Sequence, residues 1–424
     1  MGFGRELMVI AVAAALLGCS EDDTENETSA LVEPSAVATP DTRYTLGDGG
    51  VSAFYHYEGE IPEGPGTLLR QEPLEAHQSV PSAAENIRLL YTSTDGLDGE
   101  TPIVVSGALF LPAGTPPEGG WPLLLWSHGT VGIADICAPT WTGYVPFHQE
   151  HLKRWIEEGY AIVASDYQGL GTMGTHPYLA TRPAAYNNLD VIRAVQAADF
   201  PLTDKVVIAG QSQGAGAVIA TAGHAPTYAP DIDLRGVVAT GVPFFSPEGL
   251  VAVREMRPQD VVDPMLGYNF LALTLIQQIN PDFNIGDYVS DAALPMAQGV
   301  ANICNRDMRA KIEEAGLTYN MTFKQSPSEH LIEAFRKMQF PSLKLPVPLF
   351  VGSGAIDRDT PLRMQAGFVK QACAAGSTVE AHRYGEHDHL TTLNHSTIDS
   401  TKFVAAVFAD TEIAGNCESL PFDD

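Results

Sequence analysis

Three short apolar runs constrain this chain more than any other feature. They cover residues 122–126, 160–164 and 206–209, and each stops at Gly or Ser. A strand with one wet face alternates apolar and polar residues. A run that is apolar throughout suits a strand covered on both faces, as in a parallel sheet. Helical patterns lie between the runs, at residues 148–158 and 184–198. In the second of these, Leu189, Ile192, Val195 and Ala198 are spaced for a single apolar face. Alternation of strand and helix implies an α/β fold with a mostly parallel sheet. Upstream, residues 89–93 and 103–110 read as two strands around the turn-rich segment 95–99. A fourth apolar run, residues 347–351, comes only after more than a hundred further residues. The intervening Pro-containing, helix-like stretch reads as an insertion. Residues 379–384 read as a last strand.

Of the 424 residues, 45% are hydrophobic, which supplies a large core and rules out bulk disorder. Lys and Arg total 24 against 52 Asp and Glu, a net charge of −28. That balance argues against nucleic acid as a partner, because phosphate binding needs a basic face.

The start of the chain reads as a targeting signal. Arg5 precedes an apolar stretch over residues 7–18, well short of the roughly 20 residues needed to span a bilayer. It ends in Leu16-Leu17-Gly18-Cys19, which resembles the lipobox of bacterial lipoproteins. The expectation is a signal peptide over 1–18, lipidation of Cys19, and an acidic flexible tether over 19–42. That places the protein in the bacterial cell envelope, anchored to the outer membrane by lipid, or outside the cell. Four cysteines remain: Cys137, Cys304, Cys373 and Cys417. An even number in an exported chain suggests disulfides, with three possible connectivities.

The third apolar run leads into Gly210-Gln211-Ser212-Gln213-Gly214 and then a helical segment, so G-x-S-x-G sits between strand and helix. A nucleophilic serine needs a sharp turn that exposes its oxygen. The flanking glycines leave space where a Cβ would collide. The amide of Gln213, at the helix N-terminus, can donate to an oxyanion. An orienting acid should follow, then a base. Asp357 and Asp359 both lie just past the fourth run. His387 and His389 both lie just past the last strand. The histidines His382, His387, His389 and His395 could instead gather around a metal, but no helical His pair with an intervening Glu supports this. After the first run, His128-Gly129-Thr130 enters a loop that can supply a second oxyanion donor from Thr130. His128 itself reads as a buried strand-end residue.

Taken in order, these blocks resemble the secretory lipase family, α/β hydrolases similar to Candida antarctica lipase A. The likeness rests on His128-Gly129-Thr130 with Cys137-Ala138-Pro139, on Asp166-Tyr167-Gln168-Gly169-Leu170-Gly171, on the serine motif and on Tyr228-Ala229-Pro230. It extends to Asp357 with Pro361, Cys373 with Gly376, and Tyr384 through His389-Leu390-Thr391. The resemblance implies an α/β-hydrolase core over 43–243 and 345–424, with a large helical cap or lid inserted at 244–344. It favours Ser212, Asp357 and His389 as the triad, with Gln213 and Thr130 at the oxyanion. It also implies the disulfides Cys137–Cys304 and Cys373–Cys417. This chain departs from the family pattern in having Thr130 where Asp is usual, and Gln213 where Gly is usual.

The expected activity is cleavage of short- to medium-chain esters or triacylglycerols through an acyl-enzyme, without metal or cofactor. A serine peptidase on the same fold and a non-catalytic surface lipoprotein are the alternatives. Part of the apolar stretch 266–289 is expected to line an acyl tunnel.

Overall fold

The computed structural model describes residues 47–422. The expected signal peptide, the tether and Cys19 lie outside them. Nine strands form one sheet: β1 (Leu68–Pro73), β2 (Glu85–Thr94), β3 (Pro102–Leu111), β4 (Trp121–Ser127), β5 (Ala161–Ser165), β6 (Leu202–Gln211), β7 (Asp233–Thr240), β8 (Leu349–Gly354) and β9 (Val379–Tyr384). Their order is β1-β2-β3-β5-β4-β6-β7-β8-β9. The first three strands are antiparallel and β3 meets β5 antiparallel; every pairing from β5 across to β9 is parallel.

The helices are α1 (Pro139–Thr142), α2 (Pro146–Glu157), α3 (Thr181–Gln196), α4 (Gln213–Tyr228), α5 (Pro247–Glu255), α6 (Leu266–Ile279), α7 (Leu294–Gly299), α8 (Asn305–Glu314), α9 (Tyr319–Thr322), α10 (Ser328–Lys337), α11 (Leu362–Ala374) and α12 (Thr391–Phe408). The sheet explains why its strands are apolar at consecutive positions. Leu123 and Leu125 of β4 pack with Leu189 of α3, Val218 of α4 and Phe368 of α11. Their neighbours Leu124 and Trp126 pack on the opposite side with Trp155 of α2 and Phe403 of α12. This is the α/β-hydrolase architecture.

Helices α5–α10 all fall between β7 and β8. They enclose a core of their own, which includes Phe270, Leu273, Leu275, Ile276, Met308 and Ile312. Two disulfides form. Cys137–Cys304 joins the segment after β4 to the residue before α8, and Cys373–Cys417 joins α11 to the C-terminal tail.

Candidate active site

Thr130, Ser212, Asp357 and His389 each follow the C-terminal end of a parallel strand. Ser212 follows β6 and is the N-cap of α4, with φ 58° and ψ −122°. A non-glycine residue at positive φ is strained, and the surroundings must hold it there. The Ser212 amide donates to the Thr240 carbonyl at 2.9 Å. A Cβ on Gly210 would collide with the backbone of Gly214, and one on Gly214 with the carbonyl of Ser127. The two glycines thus let the first turn of α4 close onto β6 and β4. The loop after β4 crosses the same turn: a Cβ on Gly129 would lie 2.7 Å from Gln211 Oε1 and 3.4 Å from Ser212 Cβ.

Of the two candidate acids, Asp357 is brought to the imidazole. His389 Nδ1 lies 2.8 Å from Asp357 Oδ2. The carboxylate is 1% exposed. Its Oδ1 accepts from the amides of Asp359 and Thr360, and its Oδ2 also accepts from Thr360 Oγ1 and Gln365 Nε2. Asp359 instead faces Arg309 of α8, 3.9 Å away. His387 stacks on His395 with ring centroids 3.9 Å apart, and His382 bonds Glu380.

His389 is buried, which alone would lower its pKa. The negative charges of Asp357, and secondarily Asp359 and Asp388, outweigh burial and raise it above the ordinary value. With Nδ1–H donated to Asp357, the lone pair is left on Nε2, the nitrogen a general base uses. Gln211 Nε2 donates to the His389 carbonyl at 3.2 Å. A Cβ on Gly241 would lie 2.7 Å from His389 Cε1. Gln211 precedes Ser212, and Gly241 follows Thr240, whose carbonyl holds the Ser212 amide. Ser212 and His389 are therefore both held against the same two strand ends.

Thr130 Oγ1 lies 2.9 Å from the Tyr178 hydroxyl. The Thr130 carbonyl accepts from Asn305 Nδ2 at 3.1 Å. His176 Nδ1 lies 2.9 Å from the Gln168 carbonyl and must carry the hydrogen there; its Nε2 then accepts from Gln213 Nε2 at 2.8 Å. Burial lowers the His176 pKa to about 4, so the ring is neutral. His128 is buried, with its ring nitrogens 2.7 and 3.2 Å from the carbonyls of Gly129 and Asp166, as its strand-end position suggested. Thr360 and Gln365 were not anticipated, although an Asp three residues before a Thr is a recognisable turn spacing. Nothing local marked His176 or Tyr178.

An apolar cavity begins one residue past the nucleophile, on the face of α4 that carries Gln213 and Gly216. Its other walls include Leu179, Phe245, Met338 and Phe340. The stretch expected to line an acyl tunnel stands apart from this cavity. No residue from 266–289 lines this cavity, and Leu266, Phe270, Leu271, Leu273, Leu275 and Ile276 are buried in the cap's own core. An apolar residue on a cap helix has two possible destinations, and here the interior of the cap takes these six.

The sequence profile of the secretory lipase family matches residues 140–414. The chain belongs to the secretory lipase family. Membership makes it a hydrolase of the lipase and esterase kind. A lipase A from Moesziomyces aphidis is 22% identical over 436 residues, covering 91% of this chain and 85% of the relative. Among solved structures, Candida antarctica lipase A in its closed state aligns with TM-score 0.68 at 18% identity, over 84% of this chain and 85% of that one. The rice cell wall degrading esterase LipA from Xanthomonas oryzae aligns with TM-score 0.63 at 19% identity, over 82% of this chain and 98% of that one. At such identities the structural likeness establishes the fold the family shares.

Proposed function

We propose that this family member hydrolyses carboxylic esters, of short- to medium-chain acyl groups or triacylglycerols, through an acyl-enzyme on Ser212. Ser212 Oγ attacks the ester carbonyl as His389 Nε2 takes its proton. Asp357 holds the imidazole tautomer and stabilises the imidazolium. The amides of Gln213 and Thr130 receive the oxyanion. His389 then protonates the departing alcohol, and water repeats the sequence to free the acid. The scheme requires no metal or organic cofactor.

The observation that carries this reading is the 2.8 Å His389–Asp357 contact beside a strained serine elbow. A fluorophosphonate probe should label Ser212 in the folded protein. Turnover of a p-nitrophenyl ester series and of a triglyceride emulsion should be lost in Ser212→Ala, and the two substrates together separate esterase from lipase. Failure to label would favour a binding protein, and faster turnover of an aminoacyl anilide would favour a peptidase.

Membership of a secretory family and the two disulfides support export. The Leu16–Cys19 motif supports tethering through an acylated Cys19. Incorporation of labelled palmitate, lost on Cys19→Ser, would test the anchor.

A further inference from the structure

The oxyanion side of the site contains a hydroxyl pair that the reaction scheme leaves unused. Thr130 Oγ1 and the Tyr178 hydroxyl lie 2.9 Å apart, and either oxygen has a hydrogen to give. The direction of that bond decides what Thr130 can do. A threonine hydroxyl carries one hydrogen. If Thr130 donates it to Tyr178, none is left for the substrate. If Tyr178 donates, Thr130 keeps its own.

Burial favours donation by Tyr178, and the surrounding contacts hold the pair in place. Tyr178 is 3% exposed, and among the described residues Thr130 is the partner its hydroxyl finds. A buried phenol that did not donate to Thr130 would leave its O–H unsatisfied, which is costly. Thr130, by contrast, is only half-buried and follows Gly129, where a Cβ would lie 3.4 Å from Ser212 Cβ. Finally, the geometry is held from both ends. Asn305 Nδ2 donates to the Thr130 carbonyl at 3.1 Å, and the Asn305 amide donates to the Val131 carbonyl at 2.7 Å. The Tyr178 ring stacks on Tyr268 of α6 with centroids 6.4 Å apart.

We propose that Tyr178 is a positioning residue for ester hydrolysis: its hydroxyl donates to Thr130 Oγ1 and turns the Thr130 hydrogen toward the oxyanion. The inference rests on the ester-hydrolase reading of Ser212. It gives the oxyanion a side-chain donor besides the two amides. It also accounts for threonine here, since a hydroxyl that accepts one bond while donating another is what the pair needs.

The test compares Tyr178→Phe, Thr130→Val, Thr130→Ser and the Tyr178→Phe/Thr130→Val double variant on p-nitrophenyl acetate, with thermal unfolding of each. Tyr178→Phe should lower kcat about 10-fold and Thr130→Val about 100-fold, both with KM nearly unchanged, because the lost bond acts in the transition state. Thr130→Ser should restore most of kcat. The double variant should be no slower than Thr130→Val, because the two groups act in series. Unchanged kcat in Tyr178→Phe, or losses that multiply in the double variant, would overturn the inference alone. Lack of any turnover that Ser212→Ala abolishes would overturn the hydrolase reading and this inference with it. Should Tyr178→Phe fail to fold, 3-fluorotyrosine at 178 keeps the ring and strengthens the donor. It should raise kcat, and an unchanged kcat would count against the proposal.

Discussion

The two sides of the nucleophile are built on opposite principles. On the base side, Asp357 is sealed in and both carboxylate oxygens are held by more than one donor. On the other side, toward Gln213, the cavity is walled mainly by apolar side chains such as Leu179, Phe245, Met338 and Phe340, drawn from core loops and cap alike. Directional bonds tolerate little displacement, whereas apolar contacts vary smoothly with size. The contrast teaches that rate and acyl preference should respond to different substitutions.

The hardest test of that division is Asp357→Asn. It keeps the shape but inverts the tautomer preference at His389 Nδ1, and kcat should fall about 10⁴-fold with little change in KM. Asp359→Asn, two residues away and facing Arg309, should cost less than about 10-fold. Comparable losses in steady-state hydrolysis of p-nitrophenyl acetate would erase the distinction between the two carboxylates.

The two disulfides offer a second comparison. Replacing either bridge by serines should lower unfolding free energy by about 2–4 kcal/mol in denaturant titrations. Only loss of Cys137–Cys304 should also lower kcat, by about 10-fold. Cys304 precedes Asn305, which bonds the carbonyls of Thr130 and Val131. Cys373–Cys417 ties α11 to the tail and touches none of these residues. Equal effects on kcat would mean that the cap does not hold the oxyanion loop.

A third test acts on the apolar wall. Phe340→Ala should widen the cavity and raise kcat/KM for hexanoate relative to acetate by about 10-fold, the worth of roughly two of its extra methylenes newly buried at about 0.8 kcal/mol each. The absolute rate on acetate should change little. An unaltered chain-length profile would show that the acyl group lies elsewhere.

The same contrast governs what the sequence disclosed. The base side was legible because a strained serine turn needs glycines at fixed offsets and because strands buried on both faces leave unbroken apolar runs. Even there, Asp357 against Asp359 and His389 against His387 were separated by family likeness rather than by spacing. Strand β7 escaped notice: Asp233 and Arg235 occupy its exposed start, and Gly236 breaks the apolar pattern where Val407 and Phe403 press against it. Edge strand β1 is short and half-exposed and gave no run at all. The cap side was less legible because apolar residues on α6 look alike whether they line a tunnel or fill a core. The partners of Thr130 and Gln213 were invisible for a different reason. Tyr178, His176 and Asn305 lie 48, 37 and 175 positions away from them in the chain, and contacts at such separations leave no periodic trace.

The smallest effect expected probes the ion pair that links the two sides. To accept the serine proton, His389 must be neutral, so activity should rise with pH through the imidazole pKa. Asp359 contributes to raising that pKa, behind Asp357. Removing its charge with Asp359→Asn should therefore move the acid limb of kcat/KM to lower pH, by about 0.5 unit. Arg309, 3.9 Å from Asp359 on the cap, offsets part of the same negative charge. Arg309→Gln should therefore move the limb the other way, to higher pH, and by less, because the arginine is more exposed and more screened. Both shifts should shrink in high salt, and the double variant should show about the sum of the two opposed shifts. If the limb stays in place in both single variants, cap charge does not reach the base, and the cap's influence on catalysis is confined to the oxyanion loop and the cavity.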